Sequence, residues 1–262
     1  MKPAANALAL RDDTLACIDW LQPWLAPYRD IGVCVQADLA RGLSVAQALD
    51  AQRSVAWPRF IAGDPPGGVA YEKFIARTGT VPTRDNLHDL FNGLVWLRFP
   101  ALKRRLNALH AREIEQHGIG ARRGAVRDAL TLFDENGVLL RAPPLLAARL
   151  AERDWRALFV EQRPLWRDAR LVIVGHALLE KLLQPRKPIT AHVWLAPPGW
   201  QGAAGDAVPE ADPAAPPFAP LPVLGVPGWC TANEAPAFYA DAAVFRPAGN
   251  PRSTGNARRC RS

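Results

Sequence analysis

The stretch that decides the fold runs from residue 85 to residue 117 and reads DNLHDLFNGLVWLRFPALKRRLNALHAREIEQH. Apolar residues recur in it at intervals of three and four, which is the spacing of one helix face. The pattern predicts a buried helix from Asp85 to Arg98. After Phe99-Pro100 it predicts a second helix from Ala101 to His117, which Gly118 ends. The pair is expected to form the centre of the fold.

Shorter elements are expected on the C-terminal side of this pair. The sequence Asp134-Glu135-Asn136-Gly137 lies between two apolar runs, 130–133 and 138–141. An Asn-Gly pair in this position is typical of a two-residue β-hairpin turn, so a hairpin is predicted. Leu171–Val174 and Pro188–Leu195 are predicted to be strands, and His176–Leu183 a helix. The expected class is α+β, a helix-rich single domain with a β-hairpin and a few short strands.

Composition divides the chain into four parts. Residues 1–196 are expected to form a mixed core, and residues 197–220, rich in Ala, Pro and Gly, a flexible excursion. Residues 221–247 should return and dock on the core, and residues 248–262 should be a disordered basic tail.

Charge and cysteine usage exclude several classes. The net charge is +7, but five arginines without an acidic residue lie in the last 17 residues, so a nucleic-acid partner is not favoured. Four separated cysteines, with no Cys-x-x-Cys pair, predict neither a zinc knuckle nor a disulfide scaffold. The early apolar run, residues 7–10, is too short for a secretion signal, and prolines interrupt the longest uncharged stretch. A soluble cytoplasmic protein is expected.

Four segments carry a family resemblance: Val81–Asn92, Arg127–Gly137, Gly175–Ala177 and Ile189–His192. With them, the region from Trp57 to Pro247 resembles an uncharacterised bacterial family, the domain of unknown function 3025. Because that family has no assigned activity, the resemblance implies no mechanism. The Ala-Pro-Gly excursion and the arginine tail lie outside its pattern.

The first predicted helix carries an unusual polar stripe. His88, Asn92 and Trp96 follow one another at one-turn intervals, and Asp89 lies beside them. A solvated face would carry Lys, Glu or Arg, whereas short polar groups among apolar neighbours are typical of a partly buried network. These groups either brace the backbone or line a pocket. The candidate catalytic residues are His88, Asp89, Asn92 and Asp128.

A second candidate site follows the strand at residues 171–174. His176 and Glu180 lie one helical turn apart, and His192 on the next strand could approach them. Imidazole and carboxylate together can bind a divalent metal, so the candidate metal ligands are His176, Glu180 and His192. A salt-bridged or capped histidine is the plainer interpretation. Asp134 and Glu135 are interpreted as turn residues, and His110 and His117 are expected to face water.

Two hypotheses remain open. In the first, the polar groups converge on a divalent metal in a metal-assisted hydrolase. In the second, they brace the core of a non-catalytic binding or assembly protein, whose exposed tryptophans or return segment contact a protein partner or a second copy. The sequence has no phosphate-binding Gly-x-x-x-x-Gly-Lys loop, no Gly-x-Ser-x-Gly elbow and no His-Glu-x-x-His motif.

Overall fold

A computed structural model describes residues 18–54, 58–118, 124–196 and 218–248. The α-helices within these ranges are α1 (Arg29–Ala40), α2 (Val45–Ala51), α3 (Tyr71–Thr78), α4 (Leu87–Arg98), α5 (Pro100–His117), α6 (Ala125–Asn136), α7 (Pro144–Glu152) and α8 (His176–Lys181). The strands are β1 (Arg59–Ala62), β2 (Thr80–Thr83), β3 (Gly137–Arg141), β4 (Arg170–Ile173), β5 (Thr190–Leu195) and β6 (Ala219–Pro222). Short 3-10 or π turns lie at Pro23–Tyr28, Ala157–Glu161, Arg163–Asp168, Val223–Gly225, Thr231–Glu234 and Pro236–Ala240.

The strands form two small sheets. β1 and β2 pair in parallel, joined through α3. The larger sheet has the order β4-β3-β5-β6, in which β3 runs antiparallel to β4 and parallel to β5, and β5 runs antiparallel to β6. The expectation of a helix-rich α+β domain is confirmed.

The predicted helix pair lies at the centre of the molecule. Phe91, Leu94 and Trp96 of α4 are fully or almost fully buried, as the apolar spacing predicts. Gly93 allows α4 to approach α2 closely, since a Cβ there would lie 2.1 Å from a methyl group of Leu49. The helix pair from residue 87 to residue 117 is therefore confirmed.

The predicted β-hairpin is wrong. Residues 130–136 continue α6, and β3 begins directly at Gly137. Leu130 and Phe133 are buried on one face of α6, so helical periodicity decides this segment. An Asn-Gly hairpin turn needs positive φ, but Gly137 has φ −75° and ψ 147°. Glycine is required at this position for space, because a Cβ would lie 2.3 Å from the carbonyl oxygen of Phe133.

Residues 218–248 contribute an edge strand to the large sheet and side chains to the core. β6 supplies the edge strand beside β5, and Leu221, Val223 and Phe245 are buried in the core. Residues 197–217, which are most of the predicted excursion, lie outside the described residues. The tail from residue 249 onward also lies outside them, as do Cys17, Cys260 and Trp200. In the described part of the chain, no helix combines the length and apolar character needed to cross a membrane.

Candidate metal centre

Two glycines bring the ends of β3 and β4 together. The carbonyl oxygen of Gly137 accepts hydrogen bonds from the backbone N–H groups of Val174 and Gly175, at 3.0 and 2.9 Å. A Cβ at Gly175 would lie 2.4 Å from the backbone nitrogen of Gly137, so only glycine permits this approach. As a result His176, the first residue of α8, packs against the last turn of α6.

The N-terminus of α4 is held by a separate network. The Asn86 side chain caps the helix by accepting from the backbone N–H of Asp89, at 2.8 Å. The Asp89 carboxylate accepts from the backbone nitrogen of Arg84 and from two nitrogens of its guanidinium, at 2.7 to 3.0 Å. Asp89 is thus engaged by its own loop, and the network fixes the orientation of the first turn of α4, which also carries His88.

His88 and His176 meet at the junction of α4 and α8. Their Nε2 atoms lie 3.0 Å apart. Glu135, in the last turn of α6, places Oε2 3.6 Å from Nε2 of His176. One ligand atom from each of His88, Glu135 and His176 lies within 4.8 Å of the others, which makes the trio a candidate metal centre.

Each histidine has a carboxylate near its second ring nitrogen. Nδ1 of His88 lies 3.1 Å from Oε2 of Glu180, and Nδ1 of His176 lies 3.9 Å from Oδ2 of Asp134. Asp134 is also paired with Lys103, whose Nζ lies 2.5 Å from Oδ1. Lys103, Asp134, His176, His88 and Glu180 therefore follow one another as a row of polar side chains.

The pKa values of the two imidazoles are shifted in opposite directions. The hydrogen bond to Glu180 raises the pKa of His88, whereas burial lowers the pKa of His176 to about 3. His176 is therefore neutral at pH 7. Burial also raises the pKa of Glu135. Burial acts in the same direction on Asp134, but Lys103 and His176 outweigh it, and the net pKa of Asp134 is lowered.

The cluster opens into a cleft of about 440 Å³. Among the described residues, five carboxylates and two cationic side chains line it, although the chain as a whole carries a net charge of +7. The cations are Arg84, paired with Asp89 and Asp64, and Lys103, paired with Asp134. The carboxylates are Asp64, Glu72, Asp89, Asp134 and Glu135. The excess of negative charge favours a cationic ligand.

The other wall of the cleft is polar and buried. Lys103, 4% exposed, and His110, 5% exposed, lie on α5, so the expectation that His110 faces water is wrong. Asn92 on α4 donates from Nδ2 to the hydroxyl of Tyr71, at 3.0 Å. Oδ1 of Asn92 and Nδ1 of His110 are buried without a hydrogen-bond partner.

The structure brings together only some of the residues singled out from the sequence. His88, His176 and Glu180 meet in one cluster, and Asn92 lines the same cleft. Two other candidates are not brought there. Asp128 is exposed in the first turn of α6. His192 lies on β5 in register with Gly137 and Pro220 of the neighbouring strands.

A family model described as "Protein of unknown function (DUF3025)" matches residues 59–249. The chain belongs to this family. The match covers both histidines and all three carboxylates of the cluster, and it confirms the resemblance drawn from the sequence motifs. Neither a curated protein nor a solved structure matches the chain significantly.

Sequence reasoning missed the contribution of α6 to the centre in this DUF3025 chain. The Asn-Gly pattern places Asp134 and Glu135 in a hairpin turn, where adjacent side chains would point in opposite directions. On the last turn of a helix, both side chains approach His176. The helical spacing of Val126, Leu130 and Phe133 is the signal that could have found them.

Proposed function

We propose that this protein is a divalent-metal-dependent hydrolase in which His88, His176 and Glu135 hold the metal. The observation that carries the proposal is the convergence of two imidazole Nε2 atoms, 3.0 Å apart, with a carboxylate oxygen 3.6 Å from one of them. Metal–nitrogen bonds of about 2.0 to 2.1 Å place two ligands of one ion within about 4 Å of each other, so this separation suits a shared ion.

The surroundings of the two histidines support the same conclusion. Metal-bound histidines characteristically direct their second ring nitrogen toward a carboxylate, which fixes the ring and raises its basicity. Glu180 stands in this relation to His88 at 3.1 Å, whereas Asp134, 3.9 Å from Nδ1 of His176, is beyond hydrogen-bond distance. The acidic cleft adds a favourable potential for a divalent cation.

Three protein ligands leave coordination positions open for water and substrate, which is the arrangement of catalytic metal sites. An ion held by these residues would lower the pKa of a water in an open position and so supply a nucleophile beside the cleft. Two histidines and one carboxylate suit zinc and also iron(II), so metal identity is measured before any substrate is tested.

A non-catalytic binding or assembly protein is the second candidate, and one observation favours it. Both ring nitrogens of His88 are already hydrogen-bonded without a metal, one to Glu180 and the other to His176. These bonds join α4 to α8 and could serve only to brace the core. In this case a protein partner or a second copy would be the ligand.

Metal analysis of the untagged protein decides between the two candidates. We expect about one equivalent of zinc or iron per chain, lost in both His88→Ala and His176→Ala. His117→Ala is the matched control, since His117 is exposed at the end of α5 and should not change metal content. His192→Ala tests the remaining histidine predicted to bind metal, and we expect it to retain the ion.

A metal-free protein that stays metal-free on titration with zinc, manganese and iron(II) would overturn the proposal. Loss of stability in both histidine variants, without any metal in the parent protein, would support the bracing role. A cytoplasmic location in a bacterium and the absence of a nucleic-acid partner are further proposals, and they rest on the sequence alone.

A further inference from the structure

Two unpartnered polar atoms of the cleft lie beside the candidate metal centre and outside its ligand set. Asn92 is 7% exposed and His110 is 5% exposed, yet Oδ1 of the first and Nδ1 of the second have no hydrogen-bond partner. Leaving such atoms buried and unpaired costs free energy, so native structures rarely retain them without a ligand or another role. Both side chains line the cleft.

Their neighbours define a small subsite. Tyr71 on α3 accepts a hydrogen bond from Nδ2 of Asn92, which leaves its own hydroxyl proton available. Asn107, one turn before His110 on α5, lines the same cleft. We call Tyr71, Asn92, Asn107 and His110 the polar subsite. It therefore presents acceptor and donor atoms side by side without a formal charge of its own.

The polar subsite and the metal centre both include residues of α4. His88 and Asn92 are one turn apart on α4, which corresponds to about 6 Å along the helix axis. A small molecule can span that distance, with one end at the metal and the other in the polar subsite. In the part of the chain that the structure describes, the two cationic side chains of the cleft, Arg84 and Lys103, are already paired with aspartates, so neither is free to neutralise an anionic substrate.

We propose that the polar subsite binds an uncharged group that both donates and accepts hydrogen bonds, a carboxamide or a hydroxyl, and that the substrate is an amide-bearing or hydroxyl-bearing molecule and not a phosphate ester. The inference extends the proposed function and rests on it for the reaction. The binding of the uncharged group does not require the metal, because none of the four residues belongs to the metal centre.

Fragment binding tests the inference directly. Acetamide, glycerol and methyl phosphate are presented separately to the full chain, both metal-free and zinc-loaded, and binding is measured by saturation-transfer NMR. We expect acetamide or glycerol to bind both forms more tightly than methyl phosphate. Whichever of the two uncharged fragments binds better identifies the group as a carboxamide or a hydroxyl.

Substitutions in the polar subsite test where the fragments bind. Asn92→Leu keeps the side-chain volume but removes both polar atoms, and we expect fragment binding to weaken about tenfold. His110→Leu should weaken it in the same direction, whereas His117→Leu should have no effect. Circular dichroism and thermal unfolding show that each variant is folded. Zinc affinity should stay within about twofold of the parent value in Asn92→Leu, since Asn92 is not a ligand.

Each failure has a separate meaning. Unchanged fragment binding in both folded variants, no binding of either uncharged fragment, or tighter binding of methyl phosphate would overturn the polar subsite. Absence of zinc binding would instead overturn the proposed hydrolase, while the fragment measurements on the metal-free protein would still test the polar subsite.

Discussion

Two buried polar networks of this protein differ in how completely their atoms are paired. Around Asn233, which is 0% exposed, every polar atom of the side chain has a partner. Its Nδ2 donates to the carbonyl oxygens of Leu224 and Val226, at 2.7 and 2.8 Å, and its Oδ1 accepts from Arg163 at 3.1 Å. In the cleft, Asn92 has one pairing and one unpartnered buried atom.

The completeness of hydrogen bonding distinguishes a network that stabilises the fold from one that can bind a ligand. A fully hydrogen-bonded network stabilises the folded state without a ligand. A half-paired network is costly unless something else completes it. We therefore interpret the Asn233 network as a set of structural hydrogen bonds that holds the C-terminal segment in place, and the cleft as a binding site.

The largest expected effect is a difference in stability between variants of the two asparagines. Asn233→Ala should lower the free energy of unfolding by about 3 kcal/mol, because two buried carbonyls and the Arg163 guanidinium each lose a hydrogen bond. Asn92→Ala should cost only about 1 kcal/mol, since one of its polar atoms is unpaired already. Urea denaturation of both variants measures the difference. Equal losses would mean that Asn92 braces the fold as Asn233 does.

A somewhat smaller effect is expected from metal binding. Zinc at about one hundred times its dissociation constant should stabilise the protein by about 2.7 kcal/mol, because the ion binds only the folded state. Glu135→Gln should lose most of this gain, whereas Glu115→Gln, on the exposed face of α5, should keep it. Denaturant titrations with and without zinc measure the gain. A gain that is unchanged in Glu135→Gln would remove Glu135 from the ligand set.

Glu180 should act through His88 without binding the ion itself. It orients the imidazole from 3.1 Å on the side opposite His176, so Glu180→Gln should weaken zinc binding about 10- to 100-fold and leave the stoichiometry unchanged. Calorimetric titration of the folded variant gives both quantities. Glu152→Gln, in an exposed ion pair on α7, is the control. A lost equivalent of zinc would instead make Glu180 a direct ligand.

The predictable part of the fold is the part in which local pattern and tertiary packing agree. The helices that carry His88 and His110 follow from apolar spacing. The hairpin prediction failed because Gly137 serves close packing and not a turn, and that contact depends on Gly175, 38 positions along the chain.

The candidate site was only partly predictable for the same reason. The one-turn spacing of His176 and Glu180 is local, so the sequence displays it. Their meeting with His88, 88 positions away from His176, depends on how α4 packs against α8, and no local pattern encodes this. Lys103 sits among arginines in a run typical of a solvated face, and only the structure shows that it is buried against Asp134.

The smallest expected effect concerns His110 and acidification. Burial lowers the pKa of His110 below its ordinary value of 6.5, so the folded protein holds the imidazole neutral while the unfolded chain takes up a proton. Its contribution to stability is therefore complete above pH 6.5 and is lost as the pH falls below that value. His110→Phe, which cannot take up this proton, should lose less stability than the parent protein between pH 7 and pH 5. The comparison is made by urea denaturation at each pH, with His117→Phe as the exposed control. If His110→Phe and the parent protein lose stability equally, the imidazole of His110 reaches solvent in the folded protein, and its unpartnered nitrogen no longer argues for a ligand.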